Sequence, residues 1–240
     1  MTRFLIVNAD DFGLSDGVNQ GVIRAYEEGL VTSASLMTGG AAAEDAAAYA
    51  RLNPELSVGL HLDFGEWLFR DGDWHQTRQV VPLPNDRAAS ASEAARQIDR
   101  FLQIVGRPPT HLDSHQHAHR DEPLRSVVLE AAQRWGIPVR HAHPEVRYCG
   151  RFYGQTSRGE PFPQAITAEN LVGILNGLPE GWTELACHPG LGNDAPAVYR
   201  TERADEVAAL CAPSVRSSLA ETGIALRSFH DVRECLRMDR

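Results

Sequence analysis

Apolar residues along this chain alternate between short β-rich runs and stretches repeating every three to four residues, the pattern of a parallel sheet wrapped by helices. Residues 3–8, with the run Phe4-Leu5-Ile6-Val7, predict a first strand; Ser15 or Asp16 then caps a helix through Val18, Val22, Ile23, Ala25 and Tyr26 to a stop at Gly29. Residues 31–37 predict a second strand, 42–52 an alanine-rich helix ending before Pro54, and 56–62 a third strand carrying His61 at its C-terminal end. Periodicity then disappears over residues 63–89, where Trp67, Phe69, Trp74, Pro82 and Pro84 mix with charges as in a functional loop or lid.

Ser92 and Glu93 open a helix through Ile98, Phe101, Leu102 and Val105 that Gly106 stops, residues 110–114 predict a fourth strand, and 115–120 its exit loop. Pro123 suits the start of a helix over 124–135, and 136–141 predict a fifth strand. A second irregular insertion spans 142–165. Thr167 caps a helix to about residue 178, residues 183–187 predict a sixth strand, and helices over 201–210 and 214–221 precede a short seventh strand at 224–227, after which Ser228 caps a last helix. The expectation is one α/β domain over residues 1–240, with about seven mostly parallel strands and long loops at about 63–89 and 142–165.

Charge narrows the partners. A formal net charge of -9 without a Lys/Arg cluster argues against nucleic acid and anionic membranes, and favours a neutral or cationic small substrate. Cys149, Cys187, Cys211 and Cys235 lie far apart with no Cys-x-x-Cys pair, as reduced thiols do. No run is long enough to span a bilayer and no signal-peptide core precedes the first strand, so the expected setting is soluble and cytoplasmic. Oligomeric state is left open, since no coiled-coil pattern appears.

The chemistry gathers at strand exits. Asp10-Asp11, His61, the run from His111 to His119, and His188 all follow predicted strands, where parallel β/α folds collect their catalytic loops. On an extended strand His111, Asp113 and His115 share one face. One carboxylate and two imidazoles from different strands suit a single divalent metal ion, Zn²⁺ or Mg²⁺, and the ligand set expected is Asp11, His61 and His115. Each feature alone has a plainer meaning: an Asp-Asp turn, a packed histidine, a surface His cluster, a Pro-Gly turn beside His188. Their coincidence at equivalent positions favours catalysis. The Asp11-Phe12-Gly13 triplet has no glycine-rich nucleotide loop ahead of it and is no kinase signature. Adjacent Asp10 and Asp11 would face opposite sides of a strand, so both reach one site only if the chain turns between Ala9 and Phe12.

The segments Ile6-Val7-Asn8-Ala9-Asp10-Asp11-Phe12-Gly13, Val31-Thr32-Ser33, Val58-Gly59-Leu60-His61-Leu62, Pro109 to His117, Cys187-His188-Pro189-Gly190 and Gly223 to Phe229 together resemble the YdjC-like carbohydrate deacetylases, which include chito-oligosaccharide deacetylases. The resemblance implies a distorted, incomplete (β/α) barrel and hydrolysis of an N-acetyl amide on a mono- or oligosaccharide, either chitin-derived or lipid-linked. It also implies a metal on Asp11, His61 and His115. By the same analogy Asp10 is the general base, and His188 is the candidate general acid. Asp113, Arg140 and His117 are candidates for orienting these groups or meeting substrate, and Gln116 within the histidine run should not touch the ligands. Trp67, Phe69, Trp74, Tyr148, Phe152 and Tyr153 either stack on sugar faces or pack the loops. Competing readings are a metal-dependent phosphoesterase, which usually wants two metals, a glycosidase, which needs no histidines, and a binding protein whose inherited site no longer turns over.

Overall fold

The computed structural model describes residues 2–81 and 86–232. Its elements follow in the order β1 (Arg3–Phe12), α1 (Asp16–Glu27), β2 (Ser33–Leu36), α2 (Ala43–Leu52), β3 (Ser57–Leu62), β4 (Gly65–Arg70), β5 (Asp73–Gln79) and α3 (Arg87–Val105). The second half adds β6 (Leu112–Ser114), α4 (Leu124–Trp135), β7 (Val146–Cys149), α5 (Ala168–Asn176), β8 (Gly181–Cys187), α6 (Glu202–Leu210), α7 (Pro213–Thr222) and β9 (Ala225–Leu226). Among the described residues seven strands form one sheet, ordered β6-β3-β2-β1-β8-β7 with β9 on β1, and its pairs are parallel.

That sheet is curled. Laid flat, β6 and β8 would lie four strand spacings apart, roughly 19 Å. Yet the Arg140 guanidinium reaches Asp113 on β6 at 2.9 Å and Glu184 on β8 at 2.7 Å. Strand alternation therefore separates an outer face from an enclosed inner one. On β1, Leu5, Val7 and Ala9 belong to the main apolar core with the helices, whereas Ile6 packs inside against Val146, Phe229, Val232 and Trp182. Above this inner plug the side chains turn polar: Asn8, Ser35, His111, Asp113 and Glu184 are all buried. The structure is thus an incomplete β/α barrel, closed by apolar groups at the strands' N-terminal end and polar toward the C-terminal end.

Local chemistry explains most boundaries. Ser15 caps α1 by accepting from Val18 N–H, Asp86 caps α3 through Ala89 N–H, and Thr167 caps α5 through Asn170 N–H. The α3 cap moves that helix's start to Arg87, ahead of the expected Ser92. Gly106 and Gly136 end α3 and α4 in the left-handed conformation, at φ 77° and 58°.

Three expectations need correction. The expected loop at 63–89 contains the antiparallel hairpin β4–β5, turned by Asp71 and Gly72, both at positive φ. Asp-Gly is a strong hairpin signal, but β5 is largely exposed and shows no alternation to reveal it. Pro82 and Pro84 lie outside the described residues. The expected fifth strand at 136–141 is reduced to one bridge between Leu112 and Val139, because Pro138 has no N–H and His141 turns the chain away at φ 64°. The strand that fills the sheet is instead β7, inside the expected insertion at 142–165 and parallel to β8. A last helix does begin after Ser228, whose hydroxyl accepts from His230 N–H, and its course past residue 232 lies outside the described residues.

Candidate active site

The strand residues that meet at the open end of the barrel face its interior. β1 carries Asp10 inward by alternation, and the strand then breaks step: its register with β2 shifts between Ala9 and Phe12, and Asp11 adopts φ 66°. This is the turn needed to bring consecutive aspartates to one site, and a non-glycine residue held there stores on the order of 1–3 kcal/mol of strain. Gly13 follows at φ 96°, its N–H donating to Asn19 Oδ1 on α1. His61 lies one residue before the end of β3, and His115 follows β6.

Asp11 Oδ1 lies 3.3 Å from His61 Nε2 and 3.3 Å from His115 Nδ1. All three side chains are almost wholly buried, and Asp11 Oδ1 has no hydrogen-bond partner. A buried carboxylate oxygen without a partner costs stability unless something else satisfies it. Its companion Oδ2 accepts from Arg203 Nη2 at 2.6 Å. The His61 ring is oriented from behind, Nδ1 meeting Asp113 Oδ1 at 2.8 Å, which turns Nε2 toward Asp11. The expected ligands Asp11, His61 and His115 thus converge as one oxygen and two nitrogens, a donor set suited to a divalent cation. A second acidic grouping, Asp10, His61 and Asp113, shares His61, and both its aspartates are bound by Arg140. It offers no independent second metal position.

Asp10 stands beside this centre in a different state. Arg140 Nη1 and Nη2 donate to its two oxygens at 2.6 and 2.7 Å, and Asn8 Nδ2 donates to Oδ1 at 2.8 Å. Burial pushes the Asp10 carboxyl up, but the guanidinium outweighs it and holds the group below its ordinary range. Asp11 is likewise held well below it: burial works upward, and Arg203 with the two imidazoles works downward more strongly. Asp10, Asp11 and Asp113 face two buried arginines, and the same carboxylates hold His61 well above the ordinary imidazole range against the downward pull of burial, so a proton or a cation at this point completes the balance of charge. His188 Nε2 lies 3.7 Å from Asp10 Oδ2. Burial pushes its imidazole down to about 4, so it is neutral near pH 7.

The other expected residues take distinct places. Arg140 is buried and binds Asp10, Asp113 and Glu184 together, and Glu184 is pushed up to about 7 by burial. His117 lines the cleft and meets the Tyr148 hydroxyl at 3.1 Å, outside the ligand cluster. His111 lies deeper, bonded to Ser35 and Thr110 and stacked on Phe229 at 3.9 Å. Its ring fits because Gly59 has no Cβ, which would sit 2.4 Å from the imidazole. Gln116 points away from the ligands and pairs its amide with both backbone groups of Trp67 at 2.8 Å.

Residues of α6 and the segment before it complete the site, and none was expected from the sequence. Arg203 and Glu206 are buried; Glu206 accepts from His188 N–H and the Tyr199 hydroxyl, and burial pushes it up to about 8. The signal was present: Arg203, Glu206, Val207 and Leu210 occupy one helix face, so two charged residues share the stripe that packs inward. The whole floor opens into a cleft of about 1210 Å³ that Trp67, Phe69, Trp74, Tyr148, Phe152 and Tyr153 all line. Phe152 is only 1% exposed and packs, while Trp74 is 52% exposed and free to meet a ligand.

Comparisons with known proteins give the family and the fold. Residues 4–221 match the family described as YdjC-like protein. The chitooligosaccharide deacetylase of Serratia marcescens is 32% identical, with 97% of this chain and 100% of that protein covered. The carbohydrate deacetylase of Geobacillus stearothermophilus is 32% identical over 96% and 98% of the two chains. Among solved structures, an Enterococcus faecalis protein provisionally named for cellobiose-phosphate cleavage superposes with a TM-score of 0.78 at 26% identity, covering 97% of this chain and 99% of its own. A family 4 carbohydrate esterase from Streptomyces lividans shares the fold at a TM-score of 0.55 and 16% identity, over 94% and 91% of the chains.

Proposed function

This chain belongs to the YdjC-like protein family, and we propose that it is a metal-dependent carbohydrate deacetylase that hydrolyses the N-acetyl amide of a sugar held in the cleft. The observation that carries the reading is the partnerless Asp11 Oδ1, buried between His61 Nε2 and His115 Nδ1 with Asp10 beside it. The deacetylase names of relatives covering nearly the whole chain support it. Asp11, His61 and His115 would hold one divalent cation, which when bound supplies Lewis acidity toward the acetyl carbonyl and a water molecule.

The chain's own residues handle the proton. Asp10, kept ionised by Arg140, accepts the proton of the attacking water at Oδ2, the oxygen facing His188. His188 rests neutral, so it delivers only a proton that it first receives. One proton thus passes from water to Asp10, on to His188 Nε2, and finally to the amine nitrogen as the C–N bond breaks, and the acetic acid that departs ionises to acetate in solution. Tyr153 and Tyr199, stacked at 4.5 Å, flank the His188 ring and limit its rotation. Exposed Trp74 and the other cleft aromatics suit the apolar faces of sugar rings.

Acetate release from a panel of N-acetylated sugars, by protein stripped of metal and reloaded with one ion at a time, tests the proposal. Activity should vanish with chelator and return with at least one divalent ion. Release that is indifferent to chelator, or absent with every ion, would overturn it.

A further inference from the structure

Arg203 is 2% exposed, a full positive charge inside the protein and a few ångströms from a candidate cation site. Such a charge opposes cation binding, so its presence calls for a compensating role. Its guanidinium makes three separate contacts: Nη2 donates to Asp11 Oδ2 at 2.6 Å, Nε to the Tyr199 carbonyl at 2.8 Å, and Nη1 to the His188 carbonyl at 3.4 Å. The planar fork ties the carboxylate to the two chain segments that bear the aromatic wall and the His188 imidazole.

The surrounding backbone is shaped to this side chain. A Cβ at Gly190 would sit 2.9 Å from Arg203 Cδ, and one at Gly21 would sit 2.3 Å from Gly190 Cα. The segment after His188 is therefore held between α1 and the arginine, and Gly190 N–H also donates to the Arg203 carbonyl. Among the described residues Arg203 Nη2 is the hydrogen-bond donor to Asp11 Oδ2, while Oδ1 is left without a partner.

We propose that Arg203 is a positioning residue: by occupying Asp11 Oδ2 it restricts this carboxylate to a single ligating oxygen, Oδ1, and fixes the His188 segment at a set distance from the bound cation. The inference rests on the metal-dependent reading above. It predicts one-oxygen ligation by Asp11, because the guanidinium and the cation divide the carboxylate between them. It also predicts that lysine is a poor substitute, since one ammonium cannot direct three donors along a rigid fork.

Two measurements test it on the intact chain. A crystal structure of the wild-type protein loaded with Co²⁺ should show Oδ1 on the ion and Arg203 Nη2 still on Oδ2; both oxygens on the ion, or a displaced arginine, would overturn the proposal. In parallel, Co²⁺ affinity and the visible d–d bands, which follow coordination number, are compared between wild type and Arg203→Lys. Circular dichroism of the metal-free proteins checks that both are folded. The lysine variant should bind about tenfold or more weakly and show altered bands, in the range usual for losing a group that orients a ligand. Unchanged bands, whatever the affinity, would reduce Arg203 to a structural ion pair and overturn the assignment. A wild-type protein that binds no divalent ion would overturn both this inference and the function on which it rests, whereas normal binding with an insensitive lysine variant overturns the inference alone.

Discussion

The two faces of the curled sheet are built from alternate residues of the same strands, yet they obey different rules. Outward-pointing Leu5, Val7, Ala9, Leu60 and Leu62 are apolar, fully buried, and packed in the core that the helices share. Inward-pointing positions change character with height, from Ile6 through Asn8 to Asp10 on β1, and from Trp182 through Glu184 on β8. The outer face thus gains from removing apolar area from water, whereas the inner polar layer must satisfy each group it buries. Arg140 shows the consequence: one guanidinium gathers Asp10, Asp113 and Glu184 from three strands. The lesson is that stability and chemistry are separable residue by residue along a single strand.

Substitutions can break that separation or sharpen it. The largest effect is expected on the inner face, where Asp10→Asn should cut the rate of acetate release by about 10²–10⁴-fold, the usual worth of a general base. Cation affinity, read by chelator competition, should be unaltered, and Arg140 keeps Asp113 and Glu184 as partners. A variant at wild-type rate would remove Asp10 from the chemistry. Next comes the outer face: Leu60→Ala, one residue from the proposed ligand His61, should cost about 2–5 kcal/mol in denaturant unfolding while the folded protein retains cation affinity. Loss of metal binding in well-folded Leu60→Ala protein would show the faces to be coupled.

The smallest effect is a pH dependence. Glu206 is pushed up by burial from 4.5 to about 8, so within that window the folded chain holds a proton that the unfolded chain releases. Its contribution to stability is complete below pH 4.5 and is lost as pH rises through about 8, with a slope of at most about 1.4 kcal/mol per pH unit. Glu206→Gln should flatten that slope between pH 5 and 8 in unfolding titrations, where the lowered carboxyls of Asp10 and Asp11 do not titrate. An unaltered slope would mean that Glu206 is ionised throughout.

Legibility followed the same division. The helices α1, α4 and α5 and the strands β1, β3 and β8 are readable because apolar periodicity and end signals such as Ser15, Pro123 and Thr167 coincide. The hairpin β4–β5 was not, since it buries little and leaves no period to read. Residues 136–141 looked like a strand by composition, but Pro138 and the turn at His141 prevent a ladder, and four residues of β7 took the edge of β8 instead. Asp10, Asp11, His61, His115 and His188, which the structure brings to one end of the barrel, stand out in the sequence as polar residues at the ends of apolar runs. Arg203 and Glu206 were hidden in a helix whose other charges face solvent.

The chain's pattern by itself determined which segments are helix or strand, which face of each is apolar, and that carboxylates and imidazoles sit at strand exits. Only the tertiary structure decided that Asp11 Oδ1, His61 Nε2 and His115 Nδ1 meet, that Asp10 is paired with Arg140, and that Arg203 approaches from α6. The reason is physical: periodic burial is a local property carried by neighbours in sequence, whereas the curl that brings β6 close to β8, and the positive φ that turns Asp11 into the site, arise only when the whole sheet is packed.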